Sequence, residues 1–208
     1  MEAERELLCR AALDLFAAGQ LTAFGGNLSL RVGGDYLITP SGRFKGALTP
    51  RDLLLVGGAA QPVPGASRQP STEWPVHLAL YQACPGVQAV VHTHPPYATA
   101  LYLTGGQVLP LTDEAAFLAD TPLVPYHRPG SPELAAAVVE AMAGKSAAVV
   151  VLQNHGAIAA GPDLEEAVAL ARCLEDVARL TYLVTLTRRE APLLKRAAYL
   201  KARAPGPG

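Results

Sequence analysis

The 208-residue chain has three cysteines, Cys9, Cys84 and Cys173, far apart and without Cys-x-x-Cys spacing, which argues against a disulfide scaffold or a thiolate metal knuckle. A reducing compartment suits them, and a cytoplasmic location is expected. The chain also lacks the uninterrupted run of about 18 apolar residues that a membrane span requires. Its start, MEAERELLCRAALDLFAAG, has neither the basic opening nor the continuous apolar core of a signal peptide. Charge of one sign is missing too: 17 Lys and Arg face 18 Asp and Glu, for a formal charge of −1, so no general affinity for nucleic acid is expected. No Gly-x-x-x-x-Gly-Lys phosphate loop, internal repeat, long charge run or linker occurs. One domain over residues 1–200 is therefore expected, with 201–208 as a disordered tail.

Half of the residues are hydrophobic, enough for a sizeable core, and their spacing outlines an α/β domain. Leu7, Leu8, Ala11, Ala12, Leu15 and Phe16 recur at helical intervals, and Gly19 stands where a left-handed C-terminal cap belongs. Two short strands are predicted around Gly33-Gly34-Asp35. A Gly- and Pro-rich loop then leads to a helix over 73–83, followed by strands near 87–92 and 107–111. Ser131 and Pro132 read as the N-cap and first residue of a helix ending near Gly144. A buried strand pair follows, and then a long helix opened by Asp163. That helix is apolar over more than one narrow stripe, as fits a core helix or one that also meets another subunit.

The chemistry gathers at five short stretches. In AVVHTHPPY an apolar strand ends in His92 and His94, which alternation puts on one face while Thr93 points away. His155, in LQNHGAI, ends another apolar strand and is followed by a glycine that permits a close turn. Each histidine alone also fits an ordinary turn or core position. Together they match a catalytic zinc site, which takes three protein ligands and keeps one position open. Glu73, in PSTEWPVH, follows Ser71 and Thr72, which can cap a helix; its carboxylate either complements the helix dipole or serves as a general base beside the metal. His77, one turn on, reads as a packing or supporting residue. FGGNLS and ITPSGR are rich in Gly, Asn and Ser, which suit turns and equally a phosphate cradle of neutral donors.

In order and spacing, GGNLS, ITPSG, PSTEWPVH, VVHTHP and LQNHGAI resemble the class II sugar-phosphate aldolase family over about residues 5–190, its L-fuculose-1-phosphate aldolase branch most of all. The resemblance implies a three-layer α/β/α fold around a largely antiparallel sheet, in a homotetramer with active sites at subunit interfaces. It implies one Zn²⁺ per subunit on His92, His94 and His155, with Glu73 as the acid/base. The phosphate of a small sugar substrate would lie on Gly26, Asn27, Ser41, Gly42, Ser71 and Thr72. The implied reaction is reversible cleavage of a ketose 1-phosphate, such as L-fuculose 1-phosphate, to dihydroxyacetone phosphate and a short aldehyde such as L-lactaldehyde. Arg43 and Lys45 lie close enough in sequence to the phosphate positions to help, but neither is assigned a role there. The chain departs from the pattern at Asp113 and Glu114, which stand where fuculose-phosphate enzymes place a neighbouring subunit's tyrosine that handles the proton on the aldehyde oxygen. A late tyrosine has only Tyr199 as a candidate. The same superfamily offers a methylthioribulose-1-phosphate dehydratase, an epimerase that would need Asp120 as an acid, and a non-catalytic adducin-like interaction domain. The last would be expected to have lost its metal ligands.

Overall fold

The computed structural model describes residues 1–57, 68–144 and 148–194. The expected tail at 201–208, Tyr199 and the middle of the Gly- and Pro-rich loop lie outside the described residues.

The helical period at the start gives α1 (Glu2–Ala17), followed by Gly19 at φ +73°. The predicted hairpin is β1 (Asn27–Val32) and β2 (Asp35–Ile38), joined through Gly33-Gly34 with Val32 opposite Asp35. Two short 3-10 turns precede β3 (Leu54–Gly57), and then come α2 (Trp74–Ala83) and β4 (Ala89–Thr93). The chain continues through α3 (Pro96–Leu103), α4 (Asp113–Leu118), β5 (Leu123–Val124), α5 (Pro132–Met142), β6 (Ala148–Leu152), β7 (Gly156–Gly161) and α6 (Leu164–Leu186). Both predicted caps form: the Ser131 side chain accepts from the Leu134 N–H, and Asp163 from Glu166.

The strands make one sheet in the order β3-β2-β1-β4-β7-β6-β5, antiparallel except where β5 runs parallel to β6. Alternation along the strands feeds two cores. Leu28, Val91, Val151 and Ala159 pack against α1, α3, α4 and α6, while Val90, Val150, Ile158 and Ala160 pack against α2 and α5. This is the expected three-layer arrangement. Fully buried leucines such as Leu8, Leu15, Leu28 and Leu174 contribute about 2 kcal/mol each by leaving water.

One predicted element is absent. Residues 107–111 form no strand, although their alternation is real. Val108 is buried against the helical layer, and the Leu109 N–H donates to the Thr181 hydroxyl on α6 at 3.1 Å, so a helix takes the partner role of a neighbouring strand. On α6, Leu174, Val177 and Ala178 enter the core, while Tyr182, Leu183 and Leu186 remain exposed.

The segment before β3 is held by Asp52. Its carboxylate accepts from the Thr49 hydroxyl and N–H at 2.7 and 2.9 Å, and it pairs with Arg43 at 2.7 Å and Arg68 at 3.4 Å. Burial alone would raise its pKa, but the Thr49 donors and the Arg43 guanidinium bring it down to about 2. A carboxyl depressed on folding contributes stability that is present above its unfolded pKa and is lost as pH falls through the folded value. Replacing Asp52 with Asn should therefore destabilise the fold by about 2 kcal/mol near pH 7. The gap to wild type in urea midpoints should close as pH drops from about 5 towards 2, and a gap independent of pH would contradict the ionic role of Asp52.

Candidate active site

The central strands set the site's register. Asn27 of β1 lies opposite His92 of β4, and His92 lies opposite Ile158 of β7. His92 therefore faces α2, with His94 beside it: the two rings are 4.9 Å apart and their Nε2 atoms 3.1 Å apart. The turn after β6 passes through Asn154 at φ +58° and delivers His155, whose ring lies 4.7 Å from that of His92 and 5.6 Å from that of His94. Gly156 permits this approach. A Cβ there would stand 2.2 Å from the Thr93 carbonyl oxygen and 3.0 Å from the His94 ring.

Glu73 occupies the N-cap position of α2, where Ser71 and Thr72 were expected, yet its side chain makes no cap hydrogen bond. The histidines claim it instead. Glu73 Oε2 lies 3.1 Å from His92 Nε2, and Oε1 lies 3.2 Å from His155 Nε2. Ser71 turns back to accept the Glu73 N–H at 3.3 Å. Behind the carboxylate, Asn27 Nδ2 donates to Oε2 at 2.8 Å. His77 is a supporting residue, as its position predicted. Its Nε2–H donates to Asn27 Oδ1 at 2.6 Å, and its Nδ1 accepts from the Ser29 hydroxyl at 2.7 Å.

Charge follows from these contacts. Burial pushes His94 and His155 down to about 4, with the charge on His92 acting in the same direction, so both rings are neutral at pH 7. Burial would raise the Glu73 carboxyl, but the His92 and His155 rings and the Asn27 amide hold it well below the ordinary carboxylate range. Burial opposes charge on His92, and Glu73 outweighs it, raising the imidazole above its ordinary value. Burial takes His77 down to about 3.

The donor set fits a metal ion. Tetrahedral zinc with bonds of about 2.0–2.1 Å spaces its ligand atoms about 3.3 Å apart, close to the 3.1 and 3.2 Å found among the imidazole and carboxylate atoms. The three histidines can each aim one nitrogen at a shared point. A carbonyl only accepts, so the bond of 2.9 Å from His92 Nδ1 to the Ala157 oxygen keeps that proton on Nδ1 and leaves Nε2 for the shared point.

The two polar loops meet beside this cluster. The Leu28 N–H donates to the Thr39 hydroxyl, and the Ser41 and Ser71 N–H groups bind the Gln69 and Thr39 carbonyls, which fastens 39–42 to β1 and to 69–71. A cavity of about 170 Å³ opens there, lined by Asn27, Ser41, Gly42, Thr72, Glu73 and His155 among others. Gly26 also lines it, at φ +82°, with no room for a Cβ against Leu21. The structure thus brings together every residue expected at the metal and phosphate positions. It does not bring Asp113 and Glu114 to this pocket within one chain. They form the first turn of α4, and Glu114 lines a separate groove of about 1170 Å³ between α1 and α6.

Sequence reasoning passed over a further loop. Tyr126, His127 and Arg128 line a groove of about 680 Å³ that shares Thr72 and Pro129 with the metal pocket. Gly130 holds it there, because a Cβ at that residue would stand 2.4 Å from the Thr72 carbonyl oxygen. The signal in the sequence is a basic pair, His127-Arg128, directly before the Pro-Gly-Ser helix start.

These features agree with comparisons to known proteins. The family model for the class II aldolase and adducin N-terminal domain matches residues 6–182. The chain belongs to this family. It is 36% identical over 187 residues to the 3-oxo-tetronate 4-phosphate decarboxylase of Escherichia coli K12, covering 86% of each chain. It is 33% identical over 178 residues to an L-fuculose phosphate aldolase of Methanococcus maripaludis, covering 85% of this chain and 93% of that one. Among solved structures, the L-fuculose-1-phosphate aldolase of Thermus thermophilus superposes with a TM-score of 0.79 at 34% identity, covering 92% of this chain and 100% of the other.

Replacing His94, which is half-buried, with Ala should leave the fold intact and weaken zinc affinity at least about a hundredfold. Metal content after dialysis, beside an unchanged circular dichroism spectrum, checks this; full zinc retention would remove His94 from the ligand set.

Proposed function

We propose that this chain is a zinc-dependent lyase that breaks the carbon–carbon bond between the α and β carbons of the ketone in a small phosphorylated sugar and leaves the enediolate of dihydroxyacetone phosphate. The observation that carries this reading is the clustering of His92, His94 and His155, with the Glu73 carboxylate against His92 and His155, beside a pocket of phosphate-type donors. A divalent cation held there supplies the positive charge that an enediolate requires. The chain's own groups supply the rest. Gly26, Asn27, Ser41, Gly42, Ser71 and Thr72 orient the phosphate, which fixes the ketone carbon relative to Glu73. Glu73, ionised in the free protein and hydrogen-bonded by Asn27, moves the proton to and from the enediolate carbon once substrate displaces it from the histidines.

The first substrate reading is L-fuculose 1-phosphate, cleaved between C3 and C4 with L-lactaldehyde leaving. In a cytoplasmic homotetramer, Asp113 and Glu114 of a neighbouring copy would stand where the family's aldolases carry the tyrosine, and their carboxylates would then take the hydroxyl proton.

A second reading is decarboxylation of 3-oxo-tetronate 4-phosphate, and the His127-Arg128 groove favours it. Loss of carbon dioxide from this β-keto acid gives the same enediolate, so Glu73 and the phosphate loops keep their roles. The substrate then carries a carboxylate, which leaves as neutral carbon dioxide and which Arg128 can orient before the bond breaks. No hydroxyl proton has to be taken, so the replaced tyrosine costs nothing.

Zinc-loaded chain should release dihydroxyacetone phosphate from one of these two substrates, followed by a coupled NADH-consuming reductase, with carbon dioxide formed only in the second case. Release from neither, with turnover of methylthioribulose 1-phosphate by loss of water, would replace both readings with the dehydratase. On the accepted substrate, Glu73→Gln should retain zinc and lower kcat by about 10²- to 10⁴-fold; near-normal turnover would remove Glu73 from proton transfer.

A further inference from the structure

Lys45 is the least expected buried side chain in the molecule. It is 2% exposed, and its ammonium donates to the Pro40 and Arg43 carbonyl oxygens at 3.1 and 3.2 Å. Its backbone N–H donates to the Ala23 carbonyl, so the residue joins the 40–43 loop to the glycine loop before β1. Among the described residues it forms no ion pair, and the buried Asp52 carboxylate pairs instead with Arg43 and Arg68. An ammonium carries three donors, and two carbonyls satisfy two of them while leaving the full charge uncompensated. Lys45 also lines the cavity shared by Ser41, Gly42, Asn27 and Thr72.

A buried charge without a counter-ion is costly, and protein interiors hold one only where something compensates it. Burial pushes this ammonium below its ordinary pKa, in keeping with a charge that lacks a partner. The neutral donors of the two loops can shape a phosphate site but cannot neutralise a dianion. We propose that Lys45 is the counter-charge for the substrate's phosphate group, held behind the 40–43 loop and compensated only when the anion binds. The inference rests on the reading of this pocket as a phosphate site, and it adds the one fixed positive side chain there. Its two carbonyl bonds give it a second effect, because they hold Ser41 and Gly42 in the curvature that presents them to the ligand. The role is electrostatic as well as structural, and the two parts separate experimentally.

The probe is inorganic phosphate, titrated calorimetrically into the full chain and followed in parallel by its effect on the melting temperature. Lys45→Met keeps most of the side-chain volume and removes the charge; Lys45→Gln keeps donors for the loop carbonyls without charge. Both variants should bind phosphate about tenfold or more weakly than wild type, and the rise in melting temperature that phosphate gives wild type should largely vanish. Without phosphate, Lys45→Gln, which keeps a donor for the loop carbonyls and removes the charge, should melt no lower than wild type. Zinc content should be equal in all three proteins. Unchanged phosphate affinity in a folded Lys45→Gln chain would overturn the proposal even if Lys45→Met failed to fold, as would recovery of wild-type affinity by the glutamine donors alone. Wild-type chain that binds no phosphate would overturn the phosphate-site reading itself and the Lys45 inference with it.

Discussion

Three imidazoles and a carboxylate are aimed at one another beside a small pocket, with His92 and Glu73 buried and His94 and His155 partly so, and much of the structure follows from holding them there. Facing nitrogen lone pairs repel, and a buried carboxylate has lost its water, so the cluster is favourable only with positive charge at its centre. In the free protein the Glu73 carboxylate favours a proton on His92 against burial, while burial takes the other two rings down to about 4. A divalent ion would replace the proton and release Glu73, so the group that balances the resting site is also the one free to act once a ligand takes its place.

Such a cluster needs a rigid frame, and its hydrogen bonds show where the rigidity comes from. Glu73 is held by Asn27, Asn27 by His77, and His77 by Ser29, which reaches the Tyr81 hydroxyl at 2.7 Å. Each link crosses between β1 and α2, from Glu73 at its N-cap to Tyr81 in its last turn, so the sheet register and the seat of the helix are fixed by the same chain of bonds. On the opposite face, the Glu175 carboxylate of α6 accepts the Tyr97 and Ala98 N–H groups at the start of α3, 3.0 and 2.9 Å away. That contact secures the chain just after His94. The strand end that carries His92 and His94 is thus clamped from both layers, and α6 supports the histidine cluster without entering it.

The histidine pair was legible because a strand has period two: once AVVHTH is read as a strand, His92 and His94 must share a face. The caps at Ser131 and Asp163 were legible because a cap acts within three residues of its own chain. What stayed hidden depends on distant packing. The alternation over 107–111 could not reveal that Thr181 of α6, and not another strand, receives the Leu109 N–H. The His127-Arg128 loop acquires meaning only because Gly130 lies against the Thr72 carbonyl, and Lys45 only because two loops close over it. Hydropathy reads a lysine as surface, since it cannot register a charge kept inside for a ligand.

The pocket also explains how one scaffold accommodates relatives named for different reactions. On the proposed reading its inner half, formed by the histidine cluster and the 40–43 and 70–73 segments, would deal with the part of the substrate common to an aldol cleavage and a decarboxylation: a phosphate, a ketone and the carbon that becomes an enediolate. Nothing in that half depends on what leaves. The leaving group must point outward past Thr72 and Pro129, where the 126–133 groove begins. That groove is built on an exposed loop before α5, outside the register that fixes the histidines. Changes there cost the fold little, whereas a change at Gly156 or Asn27 would disturb the sheet and the cluster together. Specificity is therefore expected to vary at the rim while the chemistry stays constant at the strand ends. In this chain the rim carries Arg128 and His127 beside Glu133, an edge where Arg128 would meet a substrate carboxylate before it leaves as carbon dioxide.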